Sequence, residues 1–511
     1  PAARRLGKVG GFGTANSIIC SPASRTRHVA LLYLLPSDFA TSESGHGDRY
    51  AEVLPQLRQA MFDVAAVIDT RAGQLAPGSR RRTRVLCEDD GQPRVERIVL
   101  PHTAAEYLSS SGGFTLMMDD LEALGHLPEY AGYYKSHSAS LRRVLGYYDG
   151  EFEPGFAGQG TLFRRSSLLK QGMRASDPLI GRTTRNINNN PPSGSFAVQY
   201  GTRFDGIPDA PLYTSMLHEL SHTMGAVQDE PATSSDAGHC VDGLDVMCYF
   251  DSPSSTYVET ACPDAAAPRT PEDELFDCNG DTYFHPAPAA GTPLAAATTW
   301  HLGLPANETL STDTTGTPAP GAVTGLSAGG TGTRITLRWG AVAGASGYEV
   351  AYRAPGAAWS YLAATSPSAA PSLKPGTAYE FAVGAFNSAL ALGPRATATR
   401  TTGLDTSPPN LPSGLNVASK ARTSARLKFV LSADNVRVTR YVVERLVGRR
   451  WVTHSTVPAP AARIAVAGDV VTTPSILRFK AGTAYRLRLR AQDARGNRSA
   501  PSRVVLLVTR R

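Results

Sequence analysis

Lys374-Pro375-Gly376-Thr377-Ala378-Tyr379 returns 106 residues later as Lys480-Ala481-Gly482-Thr483-Ala484-Tyr485. This internal repeat constrains the fold more than any other feature of the chain, because its period matches one small β-sandwich. Each copy runs into apolar residues at alternate positions: Phe381, Val383 and Ala385 in the first, Leu487, Leu489 and Ala491 in the second. A period of two marks a strand with one face in a core. Trp339 and Tyr348 to Tyr352 precede the first copy, Phe429 and Tyr441 to Val443 the second. The expectation is two all-β sandwiches, over 322–402 and 408–511, after a Thr/Pro/Gly linker at 311–321.

Both copies resemble fibronectin type III modules, which are immunoglobulin-like sandwiches. Leu373-Lys374-Pro375-Gly376-Thr377-Ala378-Tyr379 is similar to that family's tyrosine corner. The resemblance implies that the Tyr hydroxyl bonds back to nearby backbone. The second copy departs from the pattern at Phe479-Lys480-Ala481-Gly482 but keeps Tyr485. Modules of this kind serve as spacers or as contacts to an extracellular polymer or cell surface.

The remaining 310 residues read differently. A chain of 511 residues exceeds one ordinary core. His28 to Leu35 is a continuous apolar run of strand length. Leu54, Leu57, Met61, Val64 and Ile68 fall at helical spacing within 50–69, with Arg58 and Asp63 on other faces. Strands are expected at Arg84–Cys87, Arg97–Leu100, Leu141–Tyr148 and Phe196–Tyr200, and a helix over 211–224. That order implies an α/β (α+β) domain over 1–310, with an upper part at about 27–225 and a lower part at about 226–310.

The helix over 211–224 carries His218-Glu219-Leu220-Ser221-His222. Residues i and i+4 share a helix face, so His218 and His222 present two imidazoles to one metal ion. Glu219 stands where a carboxylate can take a proton from a water and pass it to a leaving group. Gly225, three residues past His222, suits the left-handed turn that ends a helix.

His218 to Gly225 resembles the helix of metzincin metallopeptidases, and Asp245-Val246-Met247-Cys248-Tyr249 resembles their Met-turn. Residues 28–300 are also similar to a group of secreted bacterial metzincin-like proteins. The resemblance implies zinc, a place for Met247 beneath it, a supporting role for Tyr249, and Glu219 as general base. It also implies a third ligand, and there the chain departs from the family. The usual position holds Gln228, whose amide oxygen is a poor zinc ligand. Asp229 follows directly, and the next histidine is His239. We take His239, reached through an insertion, with Asp229 and Gln228 as the alternatives. Calcium is a second expected ion, at Asp242 and Asp245 or at Asp277, Asn279 and Asp281; turn and capping roles are the competing account.

The function expected on these grounds is a secreted, extracellular zinc metallopeptidase acting on a protein or peptide substrate. Two alternatives stay open: a degenerate fold used for adhesion or binding, and a zinc hydrolase of cell-wall amides. Six cysteines, all before residue 280, suit an oxidising compartment. We expect Cys20 to pair with Cys87 and the other four among themselves. No apolar run reaches membrane-spanning length. A net charge of +7, with its basic residues scattered, reads as solvated surface and not as a nucleic-acid footprint.

Overall fold

The computed structural model describes residues 11–25, 27–39, 47–108, 112–127, 142–150, 158–161, 195–201, 212–227, 238–241, 245–248, 276–277, 279–296, 307–313, 316–330, 334–460, 468–476 and 478–511. The chain is multidomain and mostly β, with few helices. It divides into two compact units. One holds Pro1–Leu326, Arg338–Ala369 and Phe381–Ala398; the other holds Ser327–Leu337, Ala370–Glu380 and Thr399–Arg511.

The N-terminal part is built on one eight-stranded sheet. Its core is parallel: β1 (Ile18–Cys20), β2 (His28–Leu35), β3 (Arg82–Val85), β4 (Val95–Val99), β5 (Arg142–Tyr148) and β7 (Ser195–Tyr200). Antiparallel strands β6 (Gly158–Gly160) and β8 (Leu310–Ser311) pair with β7 and β3. β2 is buried along its whole length because both faces are covered. Leu31, Tyr33 and Leu35 pack against α1 (Tyr50–Leu75) and α4 (Leu212–Met224). Leu32 and Leu34 face the opposite core with α2 (Ala104–Tyr107) and α3 (Gly112–Ala123).

Helix α1 runs past the expected end to Leu75, and its buried stripe contains charge. Asp63 is fully buried, and its carboxylate accepts the backbone N–H groups of Gly11, Phe12 and Gly13 at 2.6–3.0 Å. Asp63 thus lies off the apolar stripe, as expected, but is buried. Apolar periodicity does not register a carboxylate that satisfies main chain. Cys20 is bridged to Cys87, as expected.

Each C-terminal module contains a three-stranded sheet and a four-stranded sheet. The first has β13 (Ser368–Ala369), β10 (Thr336–Arg338) and β9 (Ser327–Gly329) in one sheet. Its other sheet has β12 (Ser360–Ala364), β11 (Gly347–Arg353), β14 (Ala378–Phe386) and β15 (Ala396–Thr401). The second repeats that order: β16 (Ser413–Lys420), β17 (Ala425–Val430) and β20 (Val470–Thr472), then β19 (Arg450–Pro458), β18 (Val438–Val447), β21 (Ala484–Asp493) and β22 (Val505–Val508). The two sheets and the repeated tyrosine corner make both modules fibronectin III-like. The Tyr379 hydroxyl accepts from the Lys374 N–H at 3.0 Å, and the Tyr485 hydroxyl from the Lys480 N–H at 2.8 Å. The missing Leu and Pro of the second copy therefore leave the corner intact.

Within the first unit, the four-stranded sheet of the first module bonds to the disulfide end of the parallel sheet. Leu392 N–H donates to Cys20 O at 2.8 Å, and Arg395 donates to Cys87 O at 3.2 Å. Arg395 also pairs with the fully buried Glu349 at 3.1 Å, and Glu349 accepts from Ser24 N–H at 2.9 Å. Among the described residues no helix is long and apolar enough to cross a membrane.

Candidate metal centre

α4 lies against β7 and the edge strand β6, with its apolar face in the α1 core. It ends where Gly225 takes φ 108°, with Gly225 N–H donating to His222 O and Ala226 N–H to Ser221 O. A side chain at that φ would be strained, so glycine is needed there. At the same end, the buried Arg143 of β5 reaches the Thr223 carbonyl and Ser195 Oγ through Nη1, and Thr309 Oγ1 through Nε. A cation on the last carbonyls of a helix offsets both unmet acceptors and the helix dipole. Burial pushes the Arg143 guanidinium down to about 9.

The helix brings two imidazoles together, and a separate segment brings a third. His222 Nε2 stands 3.0 Å from His218 Nε2 and 3.2 Å from His239 Nε2. His218 Nδ1 lies 2.7 Å from Val246 O, and His222 Nδ1 lies 2.8 Å from Ala226 O. A carbonyl only accepts, so each Nδ1 carries the proton and each Nε2 a lone pair. Burial holds the His218 imidazole below the ordinary histidine range, which keeps it neutral. Lone pairs facing each other at 3.0 Å repel unless a cation lies between them. Ligand nitrogens about 2.05 Å from a tetrahedral zinc ion stand about 3.3 Å apart. The donor set, its spacing and its tautomers therefore fit zinc.

His239 is held by its neighbours. Cys240 is bridged to Cys248, and Cys240 N–H donates to Met247 O at 3.1 Å. Asp245 Oδ1 accepts from Met247 N–H at 2.8 Å and from the Tyr283 hydroxyl at 2.7 Å. Met247 is fully buried in the same core as α4. Asp277 caps the turn that delivers Tyr283, its carboxylate accepting the backbone N–H groups of Asp281, Thr282, Tyr283 and Phe284. These bonds give Asp245 and Asp277 turn roles. Gln228, Asp229, Asp242, Tyr249, Cys262 and Cys278 lie outside the described residues.

Glu219 is 6% exposed, and its Oε2 has no hydrogen-bond partner among the described residues. Burial pushes its carboxyl up to about 8. The cover over it is β6. A Cβ on Gly158 would lie 2.5 Å from Glu219 Cγ, and one on Gly160 2.8 Å from Glu219 O and 3.1 Å from His222 Cβ. Only glycine lets this strand run so close to the helix. Sequence reading missed that pair and Arg143 as well. Two glycines one residue apart are common, and an arginine in a strand reads as surface.

No family model matches the chain. It is 30% identical over 239 residues to Chitinase A1 of Niallia circulans, covering 42% of this chain and 31% of that protein. It is 32% identical over 105 residues to Chitinase Chi52 of Paenibacillus xylanexedens, covering 20% of this chain and 17% of that protein. The chain thus spans less than a third of the length of these curated relatives. A two-domain fibronectin type III segment of chicken tenascin is similar at 19% identity and a TM-score of 0.22, covering 38% of this chain and all of that one. The chicken CNTN1 FN1–FN3 domains are similar at 21% identity and a TM-score of 0.17, covering 38% of this chain and 69% of theirs. The expected enzyme class, a zinc metallopeptidase, is corrected here: both curated relatives carry the name chitinase.

Proposed function

We propose that the chain is an extracellular zinc-dependent hydrolase that opens an amide bond in a cell-wall or other carbohydrate-containing polymer. The observation that carries this reading is the convergence of three imidazole Nε2 atoms beside a buried carboxylate, one of whose oxygens has no hydrogen-bond partner among the described residues. The chitinase-named relatives favour a carbohydrate polymer. In this reading the N-terminal domain uses a metzincin-like layout, and the fibronectin III-like modules hold the polymer.

His218, His222 and His239 would hold the ion, which supplies Lewis-acid polarisation of the bond under attack and of the attacking water. Val246 O and Ala226 O keep two of the rings in the ligating tautomer. A cation held beside Glu219 would favour its ionised form, and the carboxylate would accept a proton from the water as that water's oxygen bonds to the carbonyl carbon. It then delivers that proton to the nitrogen as the C–N bond breaks. The Gly158 and Gly160 backbone keeps bulk water off Glu219 while leaving it reach. Tyr249, by its place two residues past Met247, is the proposed donor to the carbonyl oxygen.

The test is metal analysis with three substrates: peptidoglycan, N-acetylated chito-oligosaccharides and casein. About one zinc per chain and chelator-sensitive release of amine from a carbohydrate substrate are expected. Glu219→Ala should keep the zinc and lose roughly 10²–10⁴-fold in rate. Absence of zinc, or cleavage of casein alone, overturns the reading. A zinc-loaded protein inert on all three would instead be a polymer-binding protein.

A further inference from the structure

The basic excess of the chain is not scattered, contrary to the expectation from its overall charge. Residues 408–511 hold twenty Lys and Arg against four Asp and Glu, a net charge of +16 in 104 residues; the preceding 407 residues carry −9. Such segregation selects partners more than it shapes a fold.

The fold of the second module decides where those charges go. In β21, Leu487, Leu489 and Ala491 fill the core, so Arg486, Arg488 and Arg490 share the outer face. Alternate residues of a strand stand about 6.8 Å apart, which makes a straight cationic row. Arg440 of β18, exposed and in register with Gln492, extends that face. Glu444 accepts from Arg488 at 2.6 Å and from Arg490 at 3.3 Å. It is the one carboxylate of β18, and pairing it leaves the row in excess. Asp434 and Asp493 lie elsewhere, clustered with Asp405. Beside the row, β22 pairs Leu506 with Arg486, and Val504, Leu506 and Val508 are 52%, 61% and 43% exposed. On the other side Arg488 stacks over the Trp451 ring at 4.3 Å.

We infer that this face of the second fibronectin III-like module, centred on Arg440, Arg486, Arg488 and Arg490, binds an anionic polysaccharide. A straight row of guanidinium groups fits carboxylate, phosphate or sulfate groups repeated along an extended polymer. The exposed aliphatic strip and the Trp451 ring fit the C–H faces of its sugars. Among the described residues this face offers no series of aromatic platforms for successive bases, the feature of single-stranded nucleic-acid sites. The inference specifies the polymer-holding part of the proposed function and does not depend on the metal centre.

The test uses the full chain with fluorescent dextran sulfate, neutral dextran, duplex DNA and vesicles of anionic lipid, each at two salt concentrations. Dextran sulfate should bind most tightly and weaken steeply with salt, and neutral dextran should not bind. The Arg440→Gln, Arg486→Gln, Arg490→Gln triple variant keeps the Arg488–Glu444 pair. It should weaken binding at least tenfold and reduce the salt dependence while the module stays folded, with a melting temperature lowered only slightly by loss of the Arg490 bonds to Glu444 and the Ser499 carbonyl. The Arg422→Gln, Arg426→Gln, Lys428→Gln variant, on the opposite sheet, should weaken it less than threefold. Equal losses in the two variants, or tighter binding of DNA or vesicles, would overturn the inference. Glu219→Ala should bind dextran sulfate like the parent chain, so failure of hydrolysis and failure of binding are told apart.

Discussion

At the proposed metal centre a carbonyl fixes each of the two helix imidazoles while Glu219 stands beside them, so single substitutions separate holding an ion from using it. His239 sits 3.2 Å from His222 Nε2 although 16 residues separate them in sequence. His239→Ala should lower zinc affinity at least a hundredfold, while Gln228→Ala and Asp229→Ala should leave it within threefold, as read by competition with a zinc chelator. The reverse pattern would move the third ligand. Gly160→Ala places a methyl group 2.8 Å from the Glu219 carbonyl oxygen and 3.1 Å from His222 Cβ. The strand or the helix must shift, and zinc affinity should fall about tenfold with little loss of stability, because β6 is a three-residue edge strand. The spacing of His218, Glu219 and His222 was legible because a helix has a fixed period. The glycines over Glu219 were not, because nothing local says which segment will cross a helix.

Strands and helices were legible wherever burial follows a period. β2 and α4 are apolar on the faces they bury, and both stand where expected. What the pattern hides is charge buried between elements. Arg143 ties β5 to the last turn of α4, one residue past His222. Arg143→Met leaves buried acceptors unmet, which costs about 2–4 kcal/mol, seen as a lower denaturation midpoint. Glu96 of β4 is the companion case. Burial alone would push its carboxyl up, but His126, Arg142 and Arg94 outweigh it and hold the group at about 2. Its folded value lies below the unfolded one, near 4.3. The stabilisation, roughly 2–3 kcal/mol, is therefore complete above about pH 5 and is lost as pH falls toward 2. Glu96→Gln should destabilise at pH 7 and flatten the acid limb of the stability curve.

At the scale of the molecule, the repeat announced two sandwiches, but not the order of the strands in their sheets, which depends on pairings between distant segments. The hydrogen bonds between the first module and the Cys20–Cys87 end of the parallel sheet were not announced, because Glu349 reads in sequence as an outward strand residue. Residues that belong to different cores should melt separately. The three histidines and α4 lie in the first unit, whereas the second module has its own core of Leu427, Phe429, Tyr441, Val443, Leu487 and Leu489. A ligand stabilises only the unit that binds it. Zinc at a hundred times its dissociation constant adds about 2.7 kcal/mol to the first unit and nothing to the second. Calorimetry should accordingly resolve at least two transitions. Chelation should lower one by about 5–10 °C, at a slope of roughly 2–4 °C per kcal/mol, and leave the other in place. Mild reduction should act on the same transition, since both described disulfides lie in the first unit. Their loop lengths correspond to roughly 4 and 2.5 kcal/mol of chain entropy. Movement of both transitions on chelation would mean that the second module unfolds together with the metal-binding unit.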